Sequence, residues 1–408
     1  MTSWEDLEAS ASRVDGLPPD FAARDEEFWE VIQQAFNGNR ALLNLNNGGV
    51  CPSPEIVTDA LCRYSRQQED VPTYTMWQIL EPQTEEIRTG LAAQFGCDRE
   101  EIAITRNASE SLETLLFGID LKPGDEILAT TQEYPRMLTA IRQRERRDGV
   151  ALRLVSYPTP PRSSQDILDA IASGITPRTR VILVSHVVFL TGQITPVKEI
   201  CELGRSKGIE VIVDGAHSFA HLDFKQQDLG CDYFCASLHK WLYAPKGTGF
   251  LFVRREKIES VWPLMAAEPD RCADIRKFEE TGTRSAATRL AIAEALRFHR
   301  CIGAARKEAR LRLLRDRWAK PLSRLPNVSF YTRLDDKAAC GIATMGIDGV
   351  EPETLQSHLF AAHRIFTVAI AYDQIKGIRI TPNVYTTLAE LDRYVGVMER
   401  IARHGLPK

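Results

Sequence analysis

From about residue 84 the chain repeats one unit: a short apolar run, a polar break, then a longer segment with apolar residues at helical spacing. The apolar runs are EIAIT (Glu101–Thr105), DEILAT (Asp125–Thr130), ALRLVSY, RVILVSHVVF and IEVIVD, then CDYFCAS and GTGFLFVRR. They lack the in–out alternation of a strand with one wet face, which is the pattern of strands buried on both faces of a mostly parallel sheet. The pattern predicts a large α/β domain over residues 41–285, its sheet flanked by helices. Before it, RDEEFWEVIQQAF sets Phe28, Trp29, Ile32 and Phe36 at helical spacing and predicts an N-terminal helical arm over residues 1–40. NLNNGGVCPSP (Asn44–Pro54) then breaks all periodicity, and a loop so rich in Gly can bring backbone close to a ligand. After residue 285, SAATRLAIAEALRFHRCI reads as a helix, and NVSFYT, CGIATMGI and GIRIT alternate with further helices. That mixture predicts a smaller C-terminal α+β domain over residues 286–408.

Composition narrows the class. The 408 residues are 44% hydrophobic and 26% charged, with a net charge of −4, so neither nucleic acid nor a membrane surface is called for as a partner. The basic runs IRQRERR and Arg306–Lys320 read as helices with one solvated face. No apolar run approaches the ~18 residues of a membrane helix. The first residues, MTSWEDLEAS, are polar and acidic rather than those of a secretory leader. The nine cysteines are scattered at no metal-type spacing, which suits reduced thiols in a cytoplasmic protein and predicts no metal site.

The chemistry concentrates between Val211 and Lys240. IEVIVD reads as a strand ending in Asp214, and CDYFCAS as a strand leading through SLHKW to Lys240. Open α/β sheets bind ligands at the carboxyl ends of their strands. A lysine amine and a carboxylate arriving there are what a Schiff-base cofactor needs: one forms the imine, the other pairs with a protonated ring nitrogen. Alone, the aspartate would read as a helix cap and the lysine as a surface residue. Upstream, TRNASES (Thr105–Ser111) follows a strand and opens a helix, where backbone amides suit a phosphate. There is no G-x-G-x-x-G after a first strand and no P-loop.

Together VDGAHS, SLHKW and GTGFL resemble the class V aminotransferase family of fold-type I enzymes that use pyridoxal 5′-phosphate (PLP), and look closest to its isopenicillin N epimerase-like branch. The resemblance runs from about Leu42 to Tyr394. It implies a seven-stranded-type sheet and PLP on Lys240 as an internal Schiff base, with Lys240, Asp214 and His217 as the catalytic set. It places Asn107, Ala108, Ser109, Ser237 and His239 at the phosphate, Tyr134 against the ring, and His186 among the cofactor contacts. Arg379, in GIRITPNVY, falls where the family grips the substrate α-carboxylate, with Asn47 and Phe189 beside the substrate. Asn46 and Tyr372 are further candidates for substrate contact. FEETGTRS resembles the segment that reaches the neighbouring subunit's site, so Thr283 implies a homodimer with shared active sites.

Two departures bear on the reaction. Desulfurases carry a mobile cysteine shortly before the carboxylate-binding arginine, and HRIFTVAIAYDQIKG has none. Phe189 stands where they place an asparagine. The resemblance thus implies action at Cα of an amino acid or amino-acid-derived substrate, as an aminotransferase or an isopenicillin N epimerase-like enzyme. A C–S β-elimination lyase is the alternative, and a non-catalytic PLP-fold binding protein is the alternative from another class.

Overall fold

A computed structural model describes residues 2–335 and 337–407. In chain order its strands are β1 (Leu43–Asn44), β2 (Ile102–Thr105), β3 (Glu126–Thr130), β4 (Ala151–Val155), β5 (Thr179–Ser185), β6 (Glu210–Asp214), β7 (Tyr233–Ser237) and β8 (Gly249–Val253). They continue with β9 (Val328–Phe330), β10 (Ala343–Ile347), β11 (Ile365–Phe366), β12 (Val368–Tyr372) and β13 (Ile375–Ile380). A seven-stranded sheet runs β2-β8-β7-β6-β5-β3-β4. All its pairings are parallel except those of β8, which lies antiparallel between β2 and β7.

The inner runs serve both faces of this sheet, while the edge strand β4 is half-exposed. Ile102, Ile104, Val211 and Val213 enter one core, with Phe95, Phe219 and Phe298. Ala103 and Ile212, one residue out of phase, enter the other, with Leu115, Leu138 and Ile141 from the helices Ala108–Gly118 and Pro135–Asp148. Two buried faces leave little room for polar side chains, which is why the inner strands read as near-continuous apolar runs.

A second, antiparallel sheet runs β12-β13-β10-β9. Its core is closed by Leu314 and Trp318 of the helix Ala304–Leu322 and by Tyr394 and Met398 of the helix Leu388–His404. Leu43 and Leu45 join this second core, because β1 pairs with β11. The segment from Asn44 onward is therefore carried to the second sheet, and Asn46 bridges Thr381 at its edge. The first residues form the helices Trp4–Arg13, Pro19–Ala22 and Glu26–Gln34. Phe28, Trp29 and Ile32 enter the same core as Phe298 and Ile302, and Glu26 pairs with the fully buried Arg310. Among the described residues no helix is long and apolar enough to cross a membrane.

Candidate active site

The carboxyl ends of β5, β6 and β7 deliver Ser185, Asp214 and Ser237 to one cavity of about 460 Å³. The junction between β2 and the helix Ala108–Gly118 forms its rim. Asn107 caps that helix, its side chain accepting from the Glu110 amide at 2.8 Å. The Ala108 amide donates to Ser237 Oγ at 3.0 Å, leaving the Ser237 hydroxyl proton free to turn toward the cavity. Gly249 makes the junction possible: a Cβ there would lie 2.6 Å from Asn107 Cα and 2.6 Å from the Ala236 carbonyl. Ser109 and His239 line the same cavity, and His239 Nδ1 is buried without a partner.

Asp214 is buried, which raises its pKa; the Ala216 amide, donating to Oδ1 at 2.9 Å, and Lys240 oppose that shift. Lys240 lines the cavity, and burial lowers its pKa to about 8 against the pull of Asp214. Its Nζ lies 3.1 Å from Nε2 of His217. Burial and the charge of Lys240 hold His217 well below the ordinary histidine range. An amine with a pKa near neutrality is available both as nucleophile and as base.

Arg379 lines the same cavity and is only 6% exposed. Nη1 donates to the Phe189 carbonyl at 2.7 Å, Nη2 to Asn46 Oδ1 at 3.0 Å, and Nε has no partner. Burial lowers its pKa to about 10, and no carboxylate stands beside it among the described residues. Tyr134, at the N-cap position of the helix Pro135–Asp148, meets the Phe189 ring edge-on at 5.4 Å between centroids.

Behind this wall lies Glu133. It accepts from the Ser185 amide at 2.8 Å, from Ser185 Oγ at 2.5 Å and from Thr130 Oγ1 at 2.7 Å. Burial pushes its pKa up to about 7 despite those donors.

Most residues singled out from the sequence converge here: Asn107, Ala108, Ser109, Tyr134, Phe189, Asp214, His217, Ser237, His239, Lys240 and Arg379 all line the cavity. Three assignments need correction. His186 is buried on the opposite side of its strand and packs against Phe224 at 4.9 Å, while its neighbours Ser185 and Val187 face the cavity. Asn47 turns inward to the Thr381 and Asn44 carbonyls, so Asn46 is the asparagine that meets Arg379. Tyr372 packs beside Ile370 and Ile375 outside the cavity. Thr283 lines a separate cleft with Arg88, Arg284 and Arg289, and within one subunit it does not reach Lys240. Val368 and Ile370, absent from the residues singled out in the sequence, also line the cavity. Their signal was the period-two alternation of VAIAY, which marks a strand.

The site fits PLP by its donor set. A helix N-terminus, a serine hydroxyl and an unpartnered histidine nitrogen stand at one end. A carboxylate at a strand end and a low-pKa amine stand with them.

A mostly parallel seven-stranded sheet carrying such a set at its strand ends defines a fold-type I, PLP-dependent enzyme. The Aminotransferase class-V profile matches residues 43–369, and the chain belongs to that family. It is 28% identical over 390 residues to an isopenicillin N epimerase of Streptomyces clavuligerus, covering 91% of this chain and 98% of that one. The fold is similar to an apo cysteine desulfurase from Thermococcus onnurineus NA1, at a TM-score of 0.81 and 23% identity over 92% of this chain and 98% of that one. It is also similar to a cystine C–S lyase in complex with cysteine persulfide, at a TM-score of 0.78 and 23% identity over 88% and 97% of the two chains.

Proposed function

We propose that the protein moves a proton at Cα of an α-amino acid or amino-acid-derived substrate, as an aminotransferase or an isopenicillin N epimerase-like enzyme. The observation that carries this reading is Arg379, a buried guanidinium with no carboxylate beside it among the described residues and an unpartnered Nε in the cavity of Lys240. A buried charge without a counter-ion is costly, and a substrate α-carboxylate supplies one in bidentate geometry.

Lys240 holds the cofactor and then takes and returns the Cα proton as base and acid. PLP, when bound, supplies the electron sink that makes that proton acidic. Asp214 would support the sink by pairing with the ring nitrogen. His217 would donate to the ring oxygen, Tyr134 would stack on the ring, and the amides of the Ala108–Gly118 helix with Ser237 and His239 would hold the phosphate. Beyond the carboxylate, the substrate meets an apolar wall. Val368 stands opposite Arg379 in the β12–β13 register, and Ile370, two residues on, shares its face with Phe189 nearby.

No thiol lines the cavity among the described residues: Cys51 is buried, donating to the Asn47 carbonyl and accepting from Asn383. This favours proton transfer over desulfuration. The chain works as a homodimer in which Thr283 and the arginines of its cleft meet the neighbouring site. The test is titration of the PLP-loaded enzyme with a panel of amino acids, followed by absorbance and product analysis. The reading expects a spectral change with some of them, and epimer or keto acid as product. No response to any amino acid, or an eliminated fragment as the sole product, overturns it.

A further inference from the structure

Lys240 is followed directly by Trp241, whose indole is fully buried. The indole Nε1–H points at Nδ1 of His217, 3.4 Å away. An indole nitrogen donates and never accepts, so this contact requires a bare Nδ1. A neutral imidazole with a bare Nδ1 carries its proton on Nε2. Nε2 in turn lies 3.1 Å from Lys240 Nζ. Two donors cannot face each other there, so Nε2–H calls for an amine that offers its lone pair.

The indole is itself held in place. The ring of His221 stacks on it at 3.7 Å between centroids and 10° between planes. Nε2 of His221 accepts from the Gly341 amide at 2.8 Å, which leaves Nδ1–H to donate to the His217 carbonyl at 2.7 Å. Gly341 allows the approach: a Cβ there would lie 3.0 Å from His221 Nε2 and 3.5 Å from the Trp241 ring. The hydrogen bonds and the stack thus run from the entry of β10 to the Lys240 amine.

We propose that Trp241 is a positioning residue: it locks His217 as the Nε2–H tautomer and thereby favours the neutral form of the Lys240 amine for capture of a carbonyl cofactor. In that capture the nitrogen lone pair takes the carbonyl carbon, and both amine protons leave with the carbonyl oxygen as one water. The proposal rests on Lys240 being the attachment point. The other groups that bear on the amine are Asp214, which favours its protonated form, Arg379, which opposes it, and Cys51. Lys240, Arg379 and His221 bear on His217.

Trp241→Phe keeps the ring and removes only the N–H. In the variant His217 is free to place its proton on Nδ1 and accept from a protonated Lys240. The rate at which apoprotein captures PLP, followed by absorbance across pH, should fall about three- to tenfold at neutral pH and recover at alkaline pH, the scale of one hydrogen bond. A merely structural role would lower the rate equally at every pH, and that result overturns the proposal. Nitrogen NMR of isotope-labelled histidine in wild-type apoprotein, assigned with His217→Asn, is the second measurement and needs no folded Trp241 variant. A proton on Nε2 of His217 supports the proposal, and a proton on Nδ1 overturns it. If wild-type apoprotein captures no PLP at any pH, the Lys240 assignment itself has failed.

Discussion

Arg379 Nη2 donates to the side-chain oxygen of Asn46 at 3.0 Å, and the pair joins the second sheet to the loop after β1 within the cavity of Lys240. The bond orients the guanidinium without neutralising it. Arg379→Ala should therefore raise the KM for an amino-acid substrate about 10- to 100-fold, the range of a lost charge-assisted hydrogen bond. PLP attachment should survive. Steady-state kinetics beside an absorbance spectrum checks both, and an unchanged KM would remove Arg379 from the substrate site.

Asp214 sits at the end of β6, buried, with an amide donor and Lys240 working against the rise in its pKa. Asp214→Asn keeps the shape and removes the charge. The expected outcome is a kcat lower by about 10²-fold or more, the scale of a preorganised charge contact in a dry site. Borohydride reduction should still fix PLP to the variant, because the lysine is untouched.

Gly249 lines no part of the cavity, yet its backbone lies against Asn107. Gly249→Ala puts a methyl 2.6 Å from Asn107 Cα, so the start of the Ala108–Gly118 helix must shift. That is the proposed phosphate cradle. The variant should bind PLP at least about tenfold more weakly and lose about 1–3 kcal/mol of stability from overpacking. Equilibrium dialysis and urea unfolding of the apoprotein separate the two effects. Unchanged PLP affinity would place the phosphate elsewhere.

Glu133 carries a pH signature of its own. An unfolded glutamate releases its proton near 4.5, whereas folded Glu133 keeps it until about 7. Between those values the native state binds more protons than the unfolded state, so this group's contribution is full below about 4.5 and is lost as pH rises through about 7. Glu133→Gln removes that slope. The urea midpoint at about pH 8 minus that at about pH 5 should be more positive in the variant than in the wild type. An equal separation in both would mean that Glu133 titrates normally.

What the sequence disclosed of the site depended on how local each signal is. Asp214 closes a run that reads as a buried strand and Lys240 lies just beyond another, and strand ends are where such sheets place ligands. Asn107 and Ser109 sit at a strand-to-helix junction that a few residues suffice to define. Which of Asn46 and Asn47 faces Arg379 depends instead on the bridge from Asn46 to Thr381, a partner more than three hundred residues away. RVILVSHVVF gives no phase for His186: with both sheet faces apolar, nothing local says which residue leaves β5 toward the cavity. For Val368 and Ile370 the local signal is only the alternation of VAIAY, which marks a strand but not what that strand faces. Their place beside Arg379 comes from pairing with β13.

On the proposed reading, Lys240 carries the cofactor and delivers it to an amino acid held on Arg379. The most direct test is borohydride reduction of the PLP-loaded enzyme, followed by proteolysis and mass spectrometry. A pyridoxyl-phosphate adduct on the peptide containing Lys240, absent from Lys240→Ala, is the expected result. An adduct on another lysine, or one that persists in Lys240→Ala, would show that Lys240 does not carry the cofactor.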